Sequence, residues 1–202
     1  SRINIFYDLS TQWWFYCSSS ASAIDRYVVY NYLEDIWYYG SMARTAWLDS
    51  GLRSFPLAAT YNSLLVNHEN GIDDNETGTA AAISAFITSS DFDLDDGHQF
   101  MLMSRVVPDV SFEGSTADSP AVNMTFFPLT SSGSGYNSPA SESGVNTGAV
   151  TRSATSPVEV YTNQIHTRVR GRQLSMKIES SATGVQWQLG SPRVDLRADG
   201  RR

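Results

Sequence analysis

The carboxylates of Asp91, Asp93 and Asp95 are the residues whose spacing could most readily do chemistry, because they alternate along the chain. Alternating carboxylates on a loop can converge on a hard cation such as Ca²⁺. The twelve-residue EF-hand loop requires glycine at its sixth position and glutamate at its twelfth, where this sequence has Asp96 and Leu102. In an extended strand the three aspartates share one solvated face instead. We therefore predict no metal site in this segment.

A second group of candidate ligands comprises His68 and Glu69 together with Asp73 and Asp74. The chain has only three histidines and none is spaced as a metal-binding pair, so we interpret this group as a surface turn. No Gly-x-Ser-x-Gly elbow is present, and Ser134 lies in a low-complexity segment. Nothing in the sequence is therefore a strong catalytic signal, and we assign no catalytic residue, no cofactor and no metal.

An internal repeat near the N-terminus indicates which secondary-structure elements would position side chains in this part of the chain. Residues 7–16 align without a gap on residues 30–39, which is a period of 23 residues. In each copy an aromatic run meets a short polar break and then a second aromatic run, which is the pattern of a β-hairpin. Two such hairpins in tandem predict one four-stranded sheet of the kind that forms a propeller blade. The tryptophans that we assign to the core or blade are Trp14, Trp37, Trp47 and Trp187.

Composition supports an all-β fold, since 12% of the 202 residues are aromatic and only 17% are charged. We predict propeller-type blade hairpins over residues 1–60 and an antiparallel β-sandwich or jelly-roll-like region over residues 61–202. A flexible Ser/Gly-rich loop is predicted at 130–157, either as a linker or as a loop ordered by a partner. One blade cannot close a propeller, so we expect this sequence to be the C-terminal end of a longer protein. No apolar run is long enough to cross a bilayer.

Apolar and polar residues alternate most regularly in the C-terminal fifty residues. The inward-facing parity changes across Gly171, which predicts a β-bulge or a sheet-switching bend at Gly171–Arg172. A hairpin turn at Ser180–Gly184 would then continue an antiparallel meander. The exposed face of this meander is predicted to carry Arg168, Arg170 and Lys177.

The charge distribution is strongly asymmetric along the chain. Residues 1–151 carry 5 Lys/Arg against 17 Asp/Glu, a net charge of −12, whereas residues 152–202 carry 9 against 4, a net charge of +5. Opposite charges allow copies of the chain to pair head to tail, or to pair with another partner; two separately solvated surfaces are the alternative. The basic strand has no interleaved stacking aromatics, which disfavours tight nucleic-acid binding and favours a surface that DNA passes.

Six short runs of the sequence carry a resemblance to known proteins: Asp25–Tyr32, Trp37–Gly40, Arg44–Trp47, Asp96–Phe100, Val169–Gln173 and Asp199–Arg202. They resemble the C-terminal part of virion structural proteins from tailed bacteriophages. The nearest type is the propeller-containing nozzle or hub protein of short-tailed phages. The resemblance spans most of the chain apart from residues 130–157.

The resemblance implies a non-enzymatic protein of the virion tail that assembles with other copies of itself, commonly six, into a ring around the DNA exit channel. It implies contacts with adjacent tail proteins, transient passage of double-stranded DNA and no membrane. No catalytic residues carry over, because such proteins are not enzymes. We expect the strand with Arg168, Arg170 and Arg172 to bind an acidic surface of the neighbouring subunit.

Two other classes of function stay open on the sequence. Exposed Trp and Tyr side chains beside carboxylates suit a host-surface glycan-binding module of a tail. A depolymerase would need two carboxylates that face each other across a groove, roughly 5 to 9.5 Å apart.

Overall fold

A computed structural model describes residues 10–129 and 152–201, together with the backbone of Asn4–Tyr7. The described chain consists of antiparallel β-sheets and one short 3-10 turn, Asp95–Gly97, so the prediction of an all-β fold is confirmed. Its contacts divide it into two compact units, Ser1–Gly71 and Ile72–Arg202. Within the described part, no helix is long and apolar enough to cross a membrane.

Among the described residues, seven strands form the first unit. Four of them make one sheet in which each strand pairs with the next along the chain, as the repeat of two hairpins predicts. Their aromatic and β-branched residues suit a pleated sheet with neighbours on both faces. These strands are β1 (Asn4–Tyr7), β2 (Thr11–Tyr16), β3 (Arg26–Asn31) and β4 (Ile36–Ser41).

A smaller three-stranded sheet completes the first unit, in the order β5 (Ala46–Leu48), β6 (Leu57–Ala59) and β7 (Leu65–Asn67). Because β7 pairs with β6, residues 61–71 group with the first unit in the contact division, whereas the sequence places the boundary after residue 60.

The turn between β3 and β4 is set by local side-chain chemistry. The Asn31 side-chain oxygen accepts hydrogen bonds from the backbone N–H groups of Leu33 (3.0 Å) and Glu34 (3.2 Å). Asp35 then adopts a left-handed conformation with φ of 55°. Aspartate and asparagine tolerate these turn geometries better than most residues. The polar break in the repeat is therefore the hairpin turn itself.

The described residues of the second unit form twelve strands and the 3-10 turn. In chain order the strands are β8 (Asp73–Asp74), β9 (Ala81–Ala82), β10 (Ala85–Thr88), β11 (Phe92–Asp93), β12 (Met101–Val107), β13 (Val110–Ser111), β14 (Ala121–Leu129), β15 (Ala154–Glu159), β16 (Ile165–Gly171), β17 (Gln173–Ser180), β18 (Gln188–Leu189) and β19 (Arg193–Ala198).

Two main sheets organise these strands. The larger has the order β10-β17-β14-β15, with β11 also paired to β17, and the smaller has the order β16-β12-β19. One hydrophobic core draws side chains from both sheets: Met101, Met103, Val106, Val122, Met124, Phe126, Val158, Ile165, Val169, Leu174 and Ile178. The inward face of β14 carries Val122, Met124 and Phe126, which are all buried.

The bend predicted at Gly171–Arg172 is confirmed as a change of sheet. The chain leaves the smaller sheet at the end of β16 and enters the larger sheet with β17. A Cβ at Gly171 would lie 2.8 Å from the backbone oxygen of Gln173 and 3.0 Å from that of Leu129, so no side chain fits there. The Arg172 N–H donates a 2.8 Å hydrogen bond to the Leu129 carbonyl and holds the corner.

The predicted C-terminal meander is wrong. Strand β16 pairs with β12, β17 with β14 and β10, β18 with β13, and β19 with β12, so none of these four pairs with its neighbour in sequence. Alternation of apolar residues identifies the buried face of a strand but carries no information about its hydrogen-bonding partner.

The predicted loop at 130–157 does not extend to residue 157. Residues 130–151 lie outside the described residues, but Ala154–Glu159 form β15, which pairs with β14 along six positions. Small and polar residues build this strand, and Pro157 is tolerated because β15 is the edge of its sheet. Pairing with β14 overrides a composition that is typical of loops.

Candidate functional site

The first face of the four-stranded sheet is largely covered on β2 and β3 within its own unit, whereas Ile36 and Tyr38 of the edge strand β4 are 50% and 39% exposed. The register places Trp13, Val29 and Tyr38 side by side, and Phe15 and Val29 are 1% and 0% exposed. The Trp47 ring of β5 lies over this face, with its centroid 5.4 Å from that of Trp13. This face is a small aromatic core.

Gly40 is required on the same face. In the register it lies opposite Tyr27, and a Cβ there would come within 2.5 Å of the Tyr27 hydroxyl oxygen and 2.7 Å of its ring. The glycine lets the tyrosine ring lie flat across the strand. Burial raises the pKa of the Tyr27 hydroxyl.

The centre of the opposite face of the sheet is also apolar, but much of it is accessible to solvent. We call it the aromatic face; its residues are Trp14, Val28, Tyr30, Trp37 and Tyr39. Trp37 is 60% exposed and Tyr39 is 51% exposed. The Trp37 ring stacks on Trp14 at 5.6 Å and on Tyr30 at 4.5 Å between centroids, with interplanar angles of 18° and 22°. Three rings thus form a continuous stack across the sheet.

Carboxylates lie at one end of this stack. The Tyr30 hydroxyl donates a 2.8 Å hydrogen bond to Asp35, which raises the pKa of that hydroxyl. Glu34, also exposed, lies beside Asp35 in the same turn and accepts a hydrogen bond from the Asn31 side-chain amide at 3.4 Å. The aromatic face therefore ends at an acidic rim.

The structure separates the four predicted tryptophans into different environments. Trp14 and Trp37 lie on the aromatic face, and the exposure of Trp37 means that it is not a core residue of this unit. Trp47 covers the first face of the sheet. Trp187, in the second unit, packs against the core and donates a 2.9 Å hydrogen bond to the Ser180 hydroxyl.

The three predicted interface arginines also differ. Arg170 forms an ion pair with Asp199, and its guanidinium lies 4.1 Å from the centroid of the Phe100 ring. Arg172 lies 4.6 Å from the same centroid and donates hydrogen bonds to three backbone carbonyls. Arg170 and Arg172 therefore stabilise contacts within their own chain. Arg168 is exposed, and its guanidinium has no hydrogen bond or ion pair with any described residue.

Sequence reasoning missed two arginines that the fold brings into the same sheet as Arg168. Arg193 and Arg197 lie on β19, in the same sheet as β16, and both are exposed. Their alternation with Val194 and Leu196 could have shown that they share a solvated face.

The candidate ligand groups do not form metal sites. His68 accepts a 2.9 Å hydrogen bond from Arg44 in the first unit, whereas the Asp73 carboxylate accepts the Gly184 N–H in the second unit. Asp93 accepts a 3.0 Å hydrogen bond from the Gln173 side chain. Among the described residues, no cluster of three or more His, Cys, Asp or Glu side chains could hold a metal ion.

A shallow depression of about 510 Å³ lies on the second unit. Glu113 is the single carboxylate in its lining, which is formed by Val110, Ser111, Phe112, Glu113, Ser115, Ala117, Pro120 and Val160. Glycoside hydrolysis needs a pair of carboxyl groups, so this lining does not supply the acid and the base or nucleophile.

A scan against models of protein families finds no match to this sequence, and a search of curated proteins finds none either.

Proposed function

We propose that this chain is a non-enzymatic structural protein of a bacteriophage tail, of the nozzle or hub type, and that it assembles with copies of itself into a ring around the DNA exit channel. The observation that carries the proposal is the aromatic face: large aromatic side chains lie on both faces of the four-stranded sheet, and on this face Trp37 and Tyr39 are more than half exposed. The resemblance of six sequence runs to phage nozzle proteins supports the same function.

Exposed aromatic surface is unfavourable in water. Burying one large apolar side chain is worth about 1.5–3 kcal/mol, so the exposed rings of Trp37 and Tyr39 favour contact with another surface. Contiguous exposed apolar patches mark interaction sites, and Trp and Tyr dominate the binding energy of protein interfaces. Because the aromatic face is the surface of a β-sheet, a second β-sheet is its best complement.

The finer fold assignments belong to this proposal. The sheet β1-β2-β3-β4 is a meander of four antiparallel strands, which is the topology of a propeller blade, and blades bury both faces against neighbouring blades. The two main sheets of the second unit share one core, which favours a β-sandwich. We infer that propeller and sandwich together form the subunit of a six-fold ring in the tail.

The acidic charge fits a DNA conduit. Residues 1–151 carry a net charge of −12, which repels phosphate and so allows double-stranded DNA to pass without being held. In the proposed ring this acidic part faces the channel or the solvent, while adjacent tail proteins contact the outer surfaces.

The test is the assembly state of the purified chain, measured by sedimentation velocity and by electron microscopy of negatively stained particles. We expect closed rings for the wild type and their loss in the double variant Trp37→Ala/Tyr39→Ala. Tyr161→Ala is the matched control, because Tyr161 is 89% exposed in the second unit and lies outside the aromatic face. A wild type that stays monomeric at high concentration, or rings that survive the double substitution, would contradict the proposal.

The second candidate is a glycan-binding module, and the stack of Trp14, Trp37 and Tyr30 beside an acidic rim favours it specifically. Flat aromatic rings can pack against the apolar faces of sugars, and carboxylates accept hydrogen bonds from hydroxyl groups. Binding of a monomeric wild type to a glycan array, abolished by Trp37→Ala, would support this function over assembly.

A further inference from the structure

We infer that the exposed face of the sheet β16-β12-β19 is a docking surface for the acidic part of a second copy of this chain. The inference rests on the proposed function, because it names a contact by which copies in a ring recognise each other. We call this surface the basic face; its cations are Arg105, Arg168, Arg170, Arg193 and Arg197.

The basic face exists because three strands far apart in sequence pair with each other. The central strand β12 pairs with β16 on one side and β19 on the other. In this register, Leu102 lies between Arg170 and Arg197, and Arg105 lies opposite Asp195. Inward residues of β12 such as Met101 and Met103 are buried in the core, so the arginines occupy the outer side.

The positive charge of this face is only partly neutralised by its own residues. Arg105 is paired with Asp195 at 2.7 Å, and Arg170 is paired with Asp199. Five arginines against two aspartates leave a net charge of +3. The guanidinium groups of Arg168, Arg193 and Arg197 have no hydrogen bond or ion pair with any described residue. Like charges on one sheet face repel each other, so an anionic partner would relieve a cost that the isolated chain bears.

The partner with complementary charge is present in the same chain. Residues 72–129 carry ten Asp/Glu and one arginine, and Asp95 and Asp96 are exposed on the 3-10 turn. Contact between a basic face on one copy and an acidic turn on the next joins two different surfaces. Such a head-to-tail contact repeats from copy to copy and closes into a ring when the rotation permits.

The experiment compares the double variant Arg168→Glu/Arg197→Glu with the control Arg53→Glu/Arg152→Glu in sedimentation velocity at about 0.02 M and about 0.5 M salt. The control arginines are exposed, lie outside the basic face and produce the same change in net charge. Both variants alter exposed side chains, and circular dichroism checks that each is folded. We expect the first variant to associate at least about tenfold more weakly than the wild type and the control to associate normally, with a difference that shrinks at high salt.

A pair of variants with reversed charges tests whether the acidic turn of a second copy binds the basic face. Mixing Arg168→Glu/Arg197→Glu with Asp95→Lys/Asp96→Lys should restore association between two variants that do not assemble alone. The neutral variant Arg168→Gln/Arg197→Gln should also weaken association. If it aggregates more than the wild type instead, the arginines only protect the edge strands from non-specific pairing, and the inference is overturned.

The other outcomes separate this inference from the proposed function. A ring that survives Arg168→Glu/Arg197→Glu overturns the inference and leaves the proposed function standing. A wild type that never assembles overturns both. If the wild type retains double-stranded DNA, and Arg168→Glu/Arg197→Glu abolishes this retention without changing assembly, the basic face binds nucleic acid instead.

Discussion

At the scale of single residues, Gly40 is a position in the first unit where even an added methyl group should be destabilising. Gly40→Ala should lower the free energy of unfolding of this unit by about 1–3 kcal/mol, because the new Cβ collides with the Tyr27 ring. Tryptophan fluorescence during urea denaturation measures this, since four of the five tryptophans lie in the unit. Gly51→Ala is the control, as a Cβ there meets nothing within 4 Å, and we expect a change within about 0.5 kcal/mol. Equal stability of the two variants would contradict the packing of Tyr27 beneath Gly40.

A second prediction at the residue scale concerns the connection between β2 and β3. Hydrogen bonds from the Ser18 hydroxyl (2.6 Å) and the Ser18 N–H (2.7 Å) lower the pKa of Asp25 below its ordinary value. A depressed folded-state pKa stabilises the fold at pH values above the unfolded pKa, and that stabilisation is lost as the pH falls through the folded pKa, below about pH 4. In Ser18→Ala, NMR titration of the Asp25 carboxyl should give a higher pKa than in the wild type. An unchanged pKa would mean that the hydroxyl does not hold the carboxylate in solution.

At the scale of elements, the sheet-switching corner depends on Arg172. Its guanidinium donates to the carbonyls of Gly97 and His98 at 3.0 Å and to that of Arg201 at 3.1 Å. Arg172→Ala should therefore cost about 1–3 kcal/mol and increase hydrogen–deuterium exchange around the 3-10 turn and after β19. Arg168→Ala, on the same edge but without such bonds, should change neither stability nor exchange. The reverse ranking would contradict the structural role of Arg172.

The elements also differ in how far local sequence determines them. The hairpins β1-β2 and β3-β4 could be predicted because aromatic runs and the Asn31 turn are local signals. The corner at Gly171 could be predicted because the inward parity changes there. Strand β15 could not, because its Ala, Ser, Thr and Pro residues become a strand only by pairing with β14. The same applies to Trp37, whose apolar ring predicts burial but whose sheet face is left open.

At the scale of the whole molecule, each of the two units has buried side chains of its own. Phe126→Ala should lower the stability of the second unit by about 3–5 kcal/mol, because it removes a fully buried ring from the core shared by the two main sheets. Hydrogen–deuterium exchange of β14 and β17 should rise, while the fluorescence transition of the first unit keeps its midpoint. A parallel shift of both would show that the units unfold together.

The amino-acid sequence by itself determined the all-β class, the tandem hairpins and the corner at Gly171–Arg172. Each of these depends on neighbours within a few residues, where the period of two along a strand and the chemistry of turns act directly. Tertiary structure alone decided that β12 lies between β16 and β19, which joins Arg105 to Asp195 across 90 positions and gathers the arginines into the basic face. It also decided that Phe15 and Val29 are buried on one face of the four-stranded sheet while Trp37 and Tyr39 are exposed on the other. The alternation of apolar and polar residues in a strand predicts which of its faces is buried. The strand with which it pairs depends on the packing of the whole core, so no single segment of the sequence predicts that pairing.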